Sequence, residues 1–227
     1  HIFKELKGHA PFTAMGAILG LVFMLVFKNA ASVTTHRLFI VFHPLHVILS
    51  AMATSSIFKI HSRKTKLIKI FLIGYLGSIG IATLSDIIIP YIGSNILKTD
   101  IPVHSHHHDH HEHDQKCTSN HVTDPGKQEG IHLAFIEQWY IVNPAALIGI
   151  GIAFFLPRSK FPHALHVLIS TWASSSYLLM TAAFDWKWAS AAGLFITLFF
   201  ATWLPCCISD IVFPLIFVND KNKINEH

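Results

Sequence analysis

The chain has 227 residues, of which 52% are hydrophobic and 13% charged, and its mean hydropathy is +0.47. That balance excludes an ordinary water-soluble domain. The net charge of +4 rests on Lys and Arg in short loops without interleaved aromatic residues, which excludes a nucleic-acid-binding surface, and three cysteines give no disulfide framework.

Apolar stretches at 11–27, 38–60, 67–96, 135–156, 161–183 and 188–218 each approach the ~20 residues that a helix needs to cross the hydrocarbon core. The expected fold is an all-α integral membrane protein with six transmembrane helices. No small-residue cleavage site precedes the first stretch, which is expected to act as its own insertion signal. It opens with "PFTAMG" at 11–16, and His9 stands just before it. The second carries "HPLHVILSAMATSS" at 43–56, with His43 and His46 three residues apart and Ser50 one turn further along the same stripe. The third ends in "LSDIIIPYI" at 84–92.

A hydrophilic segment at 97–134 then interrupts the pattern. It is rich in His and Asp and too polar to bury a core. His104, His106, His107, His108, His110, His111 and His113 crowd into its first half, as expected of a flexible collector of transition-metal ions.

Beyond it the first half recurs. "PAALIG" at 144–149 keeps the Pro-to-Gly separation of "PFTAMG", with Asn143 just before it. "HALHVLISTWASSS" at 163–176 repeats the histidine stretch at a constant offset of 120, matching His43 with His163, His46 with His166 and Ser50 with Ser170. "ISDIVFPLI" at 208–216 echoes "LSDIIIPYI" and aligns Asp210 with Asp86. A duplicated set of three spans is odd in number, so its second copy enters the bilayer from the opposite face, giving two inverted three-helix repeats, 1–96 and 135–218, followed by a tail at 219–227. Eleven of the 17 basic residues fall in loops on the side of the N-terminus, which by the positive-inside rule makes both termini cytoplasmic and the His-rich loop external.

The duplicated polar residues point to metal chemistry. Two imidazoles and a carboxylate are a common ligand set for zinc, iron, cobalt or nickel. Asp86 and Asp210 are the carboxylates deepest in the apolar spans, where an unpaired charge costs at least a few kcal/mol. Each is followed four residues later by a proline, Pro90 or Pro214, which has no N–H for the carbonyl behind it. A single intramembrane histidine is more often an interhelical hydrogen-bond partner than a ligand, and hydroxyl stripes usually serve close helix packing. Duplication of both motifs together, beside a His-rich loop, favours ligands.

The metal-ligand set expected from the sequence is His43, His46 and Asp86 near the outer end, with His163, His166 and Asp210 near the inner end. His9, Asn143, Ser50, Ser170 and Cys207 are supporting candidates, Cys207 because it precedes Asp210 by three residues. The expected function is a divalent transition-metal transporter or channel with two pseudo-symmetric sites, zinc being the first choice of ion, the lipid bilayer its surroundings and a homo-oligomer compatible with the pattern. The alternatives are a membrane metalloenzyme using one His/Asp cluster and a haem protein ligated by these histidines.

Overall fold

The computed structural model describes residues 2–61, 67–98, 138–155, 161–181, 186–208 and 216. Helix α1 is Ile2–Phe27, α2 is Ser32–His61, α3 is Leu67–Thr83, α4 is Ile89–Lys98, α5 is Trp139–Phe155, α6 is Phe161–Thr181 and α7 is Trp188–Cys207. A π-helical turn, Leu84–Ile88, joins α3 to α4 as one rod, so the described residues form six rods. Four of the rods are long and apolar enough to cross a membrane: Gly8–Phe27, Ser32–Ile60, Leu67–Leu97 and Trp188–Cys206. Helix α5, 17 residues long and apolar, falls just short of that length.

The packing is that of a membrane protein, with apolar side chains outside and polar ones inside. On α1, Phe12, Met15, Leu19, Val22 and Val26 are all exposed and, at alternating steps of three and four, line one face. The opposite face turns Thr13, Ala17 and Met24 inward. Helix α6 is more extreme: His166, Ser170, Thr171, Ser174 and Ser175 are fully buried. In water this pattern would expose a large apolar patch and bury hydroxyls without return, whereas lipid accepts the first and interhelical hydrogen bonds satisfy the second.

Helix α2 is the centre of the bundle and packs on α3, α5 and α6. Close approach of α5 to α2 depends on Gly149, where an added Cβ would collide with the Ile48 carbonyl oxygen and crowd Ala51. Gly16 and Gly20 of α1 meet α6 in the same way, at Val167, Thr171 and Ser175. Small residues at such crossings let backbones reach van der Waals contact, the main source of helix association where the surroundings are as apolar as the interface.

The break in the third rod follows from Pro90. With no N–H at residue 90, the α-helical ladder cannot continue, and the chain widens so that Ile89 N–H reaches back to the Leu84 carbonyl. Neither Ile89 nor Pro90 then has an N–H to give the Ser85 carbonyl. The Ser174 hydroxyl of α6 lies 3.2 Å from Ser85 O and 2.9 Å from Ser170 O one turn back in its own helix, so its single proton is shared between the two carbonyls, of which Ser170 O already has a main-chain partner. The proline thus ties the third rod to α6 at the turn that carries Asp86.

Replacing Gly149 by Ala should lower stability by about 1–3 kcal/mol, because the neighbour in the way is backbone and cannot swing aside. Gly151→Ala, two residues on and with nothing nearby, should leave it unchanged. Thermal unfolding of both variants in detergent checks the contrast; equal melting temperatures would contradict the close α2–α5 approach.

Candidate metal centre

Asp86 sits inside the π turn and is fully buried, together with His43, His46 and His166. Both histidines of α2 direct Nδ1 at its carboxylate. His43 Nδ1 lies 2.9 Å from Oδ2, and His46 Nδ1 lies 2.7 Å from Oδ2 and 2.9 Å from Oδ1. One helical turn separates the two rings, so a single carboxylate holds both. Ser170 Oγ adds a longer contact to Oδ1, 3.4 Å, and is 2.8 Å from Ser85 Oγ.

The proton positions follow from these partners. An ionised carboxylate only accepts, so each Nδ1 carries the hydrogen, and a neutral imidazole then presents a bare lone pair at Nε2. His46 Nε2 is 2.8 Å from His166 Nε2, so with His46 neutral the donating N–H belongs to His166. Cys206 Sγ lies 3.8 Å from the same His166 nitrogen. The result is a continuous chain from Asp86 through His46 and His166 to Cys206, fully closed from solvent.

His46, His166 and Cys206 also form a group that could hold a metal ion, with donor atoms all within 4.8 Å of one another. Tetrahedral zinc sets its nitrogen and sulfur donors about 3.3–3.6 Å apart, given bonds of about 2.0–2.1 Å to nitrogen and 2.3 Å to sulfur. Side-chain adjustments of about 1 Å would bring these atoms to that spacing. Asp86 on His46 Nδ1 is the carboxylate–histidine pairing that fixes ring orientation and raises ligand basicity in metal sites. Two imidazoles and a thiolate leave a fourth position for another ligand.

The expectation of separate clusters at opposite ends placed His46 and His166 apart, and for these two residues the arrangement differs. His46 and His166, matched by the 120-residue offset, meet in one place. The physical reason is the length of α2. Hydropathy fades at Arg37, but the helix runs from Ser32 over 30 residues, which moves His43 and His46 from an expected end to its middle. Thr35, whose Oγ1 bonds Ser32 O at 2.9 Å, turns inward and lets the polar first turns stay helical.

The other expected residues divide clearly. His163 lies in α6 but its side chain is outside the described residues, as are the side chain of Cys207, all of Asp210 and the loop histidines His104, His106, His107, His108, His110, His111 and His113. Asn143 is not brought to the centre; its Oδ1 accepts from Tyr75 OH at 2.8 Å and ties α5 to α3. His9 stays in the early turns of α1, where its carbonyl accepts from Thr13 Oγ1. Ser50 is buried one turn beyond His46, and Ser170 of the supporting set touches Asp86.

Cys206, which is not among the residues expected from the sequence, is found at His166. A signal for it was present: Leu194, Leu198, Thr202 and Cys206 fall at steps of four and are all buried, so the inward stripe of α7 ends on Cys206.

Ser174→Ala removes the hydroxyl shared between Ser170 O of its own helix and the Ser85 carbonyl, which has no main-chain N–H, and should lower stability by about 1–3 kcal/mol. Ser176→Ala removes only a bond to Trp172 O within its own helix, where main-chain pairing already satisfies that carbonyl, and should change stability by less than about 0.5 kcal/mol. Matched thermal melts check the difference. No protein-family model matches the chain, and no curated protein or solved structure shows significant similarity to it.

Proposed function

We propose that this chain moves a divalent transition-metal ion across a membrane, with zinc as first choice, and that the ion passes through one centre formed by His46, His166 and Cys206 with Asp86 behind it. The observation that carries this reading is the 2.8 Å approach of His46 Nε2 to His166 Nε2, in a buried place shared with a thiol. A thiol beside two imidazoles suits zinc better than the harder oxygen-seeking cations.

Two inverted repeats explain why the centre lies where it does. A two-fold axis in the membrane plane brings equivalent residues of the two halves together only where it passes, and His46 and His166 are such a pair. Packing supports the same relation. Gly16 of the first "PxxxxG" lies on Val167 and Thr171, and Gly149 of the second lies on Ile48 and Ala51, so each half's leading helix rests on the other half's histidine helix at corresponding levels. Inverted repeats that meet at a mid-membrane site are a recurrent design for alternating access. Both termini are then cytoplasmic and the 104–113 histidines gather ions outside.

A single merged centre also favours, more than two separate sites would, a membrane enzyme in which the metal's open position activates water. Haem has no support here, since a porphyrin would have to part nitrogens 2.8 Å from one another.

Purified protein should carry about one equivalent of zinc per chain, and proteoliposomes should take up zinc down its gradient. His46→Ala, His166→Ala and Cys206→Ser should each abolish stoichiometric metal and flux while still inserting. Asp86→Asn should fold but lower metal affinity by about 10–100-fold, because the amide cannot accept from both imidazoles. Bound metal without flux would point to the enzyme. Wild-type metal content in all four variants would remove the centre from the account. Deleting residues 104–114 should weaken apparent affinity without abolishing flux, since a flexible collector raises local concentration only.

A further inference from the structure

His43 shares Asp86 with His46 but takes no part in the His46–His166–Cys206 group. Its Nδ1 is held by the carboxylate, and its ring stacks on Phe39 at a centroid distance of 5.1 Å and 13° between planes. Tyr177 backs Phe39 from α6, 5.6 Å away. Stacking fixes the plane of the ring and Asp86 fixes its Nδ1 edge, so the direction of Nε2 is fixed as well. That nitrogen is fully buried and has no hydrogen-bond partner among the described residues.

A residue needed only to steady Asp86 would require one N–H. Glutamine, asparagine or tryptophan supplies that, whereas histidine brings a second nitrogen whose burial without a partner is unfavourable. His43 and His46 are prepared alike: each gives Nδ1–H to the same carboxylate and presents Nε2 as a basic lone pair, the orientation found in metal-ligating histidines. In His46 that lone pair serves the centre. In His43 it lies one turn nearer the Ser32 end of α2, about 4.5 Å along the helix.

We propose that His43 Nε2 is a second metal-coordinating position, which hands a divalent transition-metal ion between the centre and the side of the membrane nearer the Ser32 end of α2. This rests on the transport reading given above. Asp86 then serves both positions, and its charge moves with neither. An ion passing from one imidazole to the next stays within reach of the same carboxylate, which keeps the step between them shallow.

Metal content and flux together test this. His43→Gln keeps a donor for Asp86 and removes the ligand. It should retain one equivalent of zinc after purification, while zinc flux into proteoliposomes falls at least tenfold. His43→Cys, which restores a ligand of different shape, should recover flux to within about threefold of wild type. If His43→Gln transports at the wild-type rate, His43 is no part of the path. If folded His43→Gln loses both zinc and flux, and His43→Cys recovers neither, His43 acts only by steadying Asp86, and the proposal is overturned while the centre stands. If the wild-type protein neither holds nor moves zinc, cobalt or nickel, the transport reading fails and this proposal with it.

Discussion

One carboxylate in the middle of an apolar bundle sets the terms for everything around it. Asp86 is fully buried and takes two imidazole contacts and a longer serine contact. Breaking such a set by removing one partner leaves a charge or a polar group stranded in low dielectric, a loss of several kcal/mol, so its members are mutually dependent. Pro90 creates the π turn that carries Asp86, and the Ser174 hydroxyl, shared with Ser170 O, reaches the Ser85 carbonyl that the turn leaves without an N–H. His46 extends the network to α6 and, through His166, to Cys206 on α7. Four rods are therefore joined through one side chain, and a local failure at Asp86 would loosen all of them.

The rest of the bundle is arranged so that this polar centre can exist. Glycines bring α1 onto α6 and α5 onto α2, the two helices that carry the histidines of the centre. Large apolar side chains such as Phe12, Val26 and Phe155 face outward, where hydrocarbon would receive them. Polar residues inside and apolar residues outside reverse the order of a water-soluble bundle, and the reversal is what lets hydroxyls and imidazoles hold helices together.

The helical rods were legible in the sequence because hydropathy reports them directly, and the repeated offset singled out His46 and His166, which the fold brings together beside Asp86. Depth was not. The second span was drawn from residue 38, and the true start at Ser32 moved His43 and His46 inward by more than a turn. Hydropathy sums over all faces of a helix and so misses polar turns that are helical because one face is buried. That the α7 stripe of Leu194, Leu198, Thr202 and Cys206 faces inward emerges only from the packing of that helix. The π turn could be anticipated only as a missing hydrogen bond at Pro90. Which carbonyl would look outward, and which hydroxyl would meet it, depended on how α6 packs against the turn.

The central claim is that two symmetry-matched histidines and Cys206 form one metal site. X-ray absorption at the zinc edge of the metal-loaded protein tests it most directly. The account predicts a mixed shell, with nitrogen donors at about 2.0 Å and a single sulfur at about 2.3 Å, the sulfur disappearing in Cys206→Ser. A shell of nitrogen and oxygen alone in the wild-type protein, at full zinc occupancy, would contradict it.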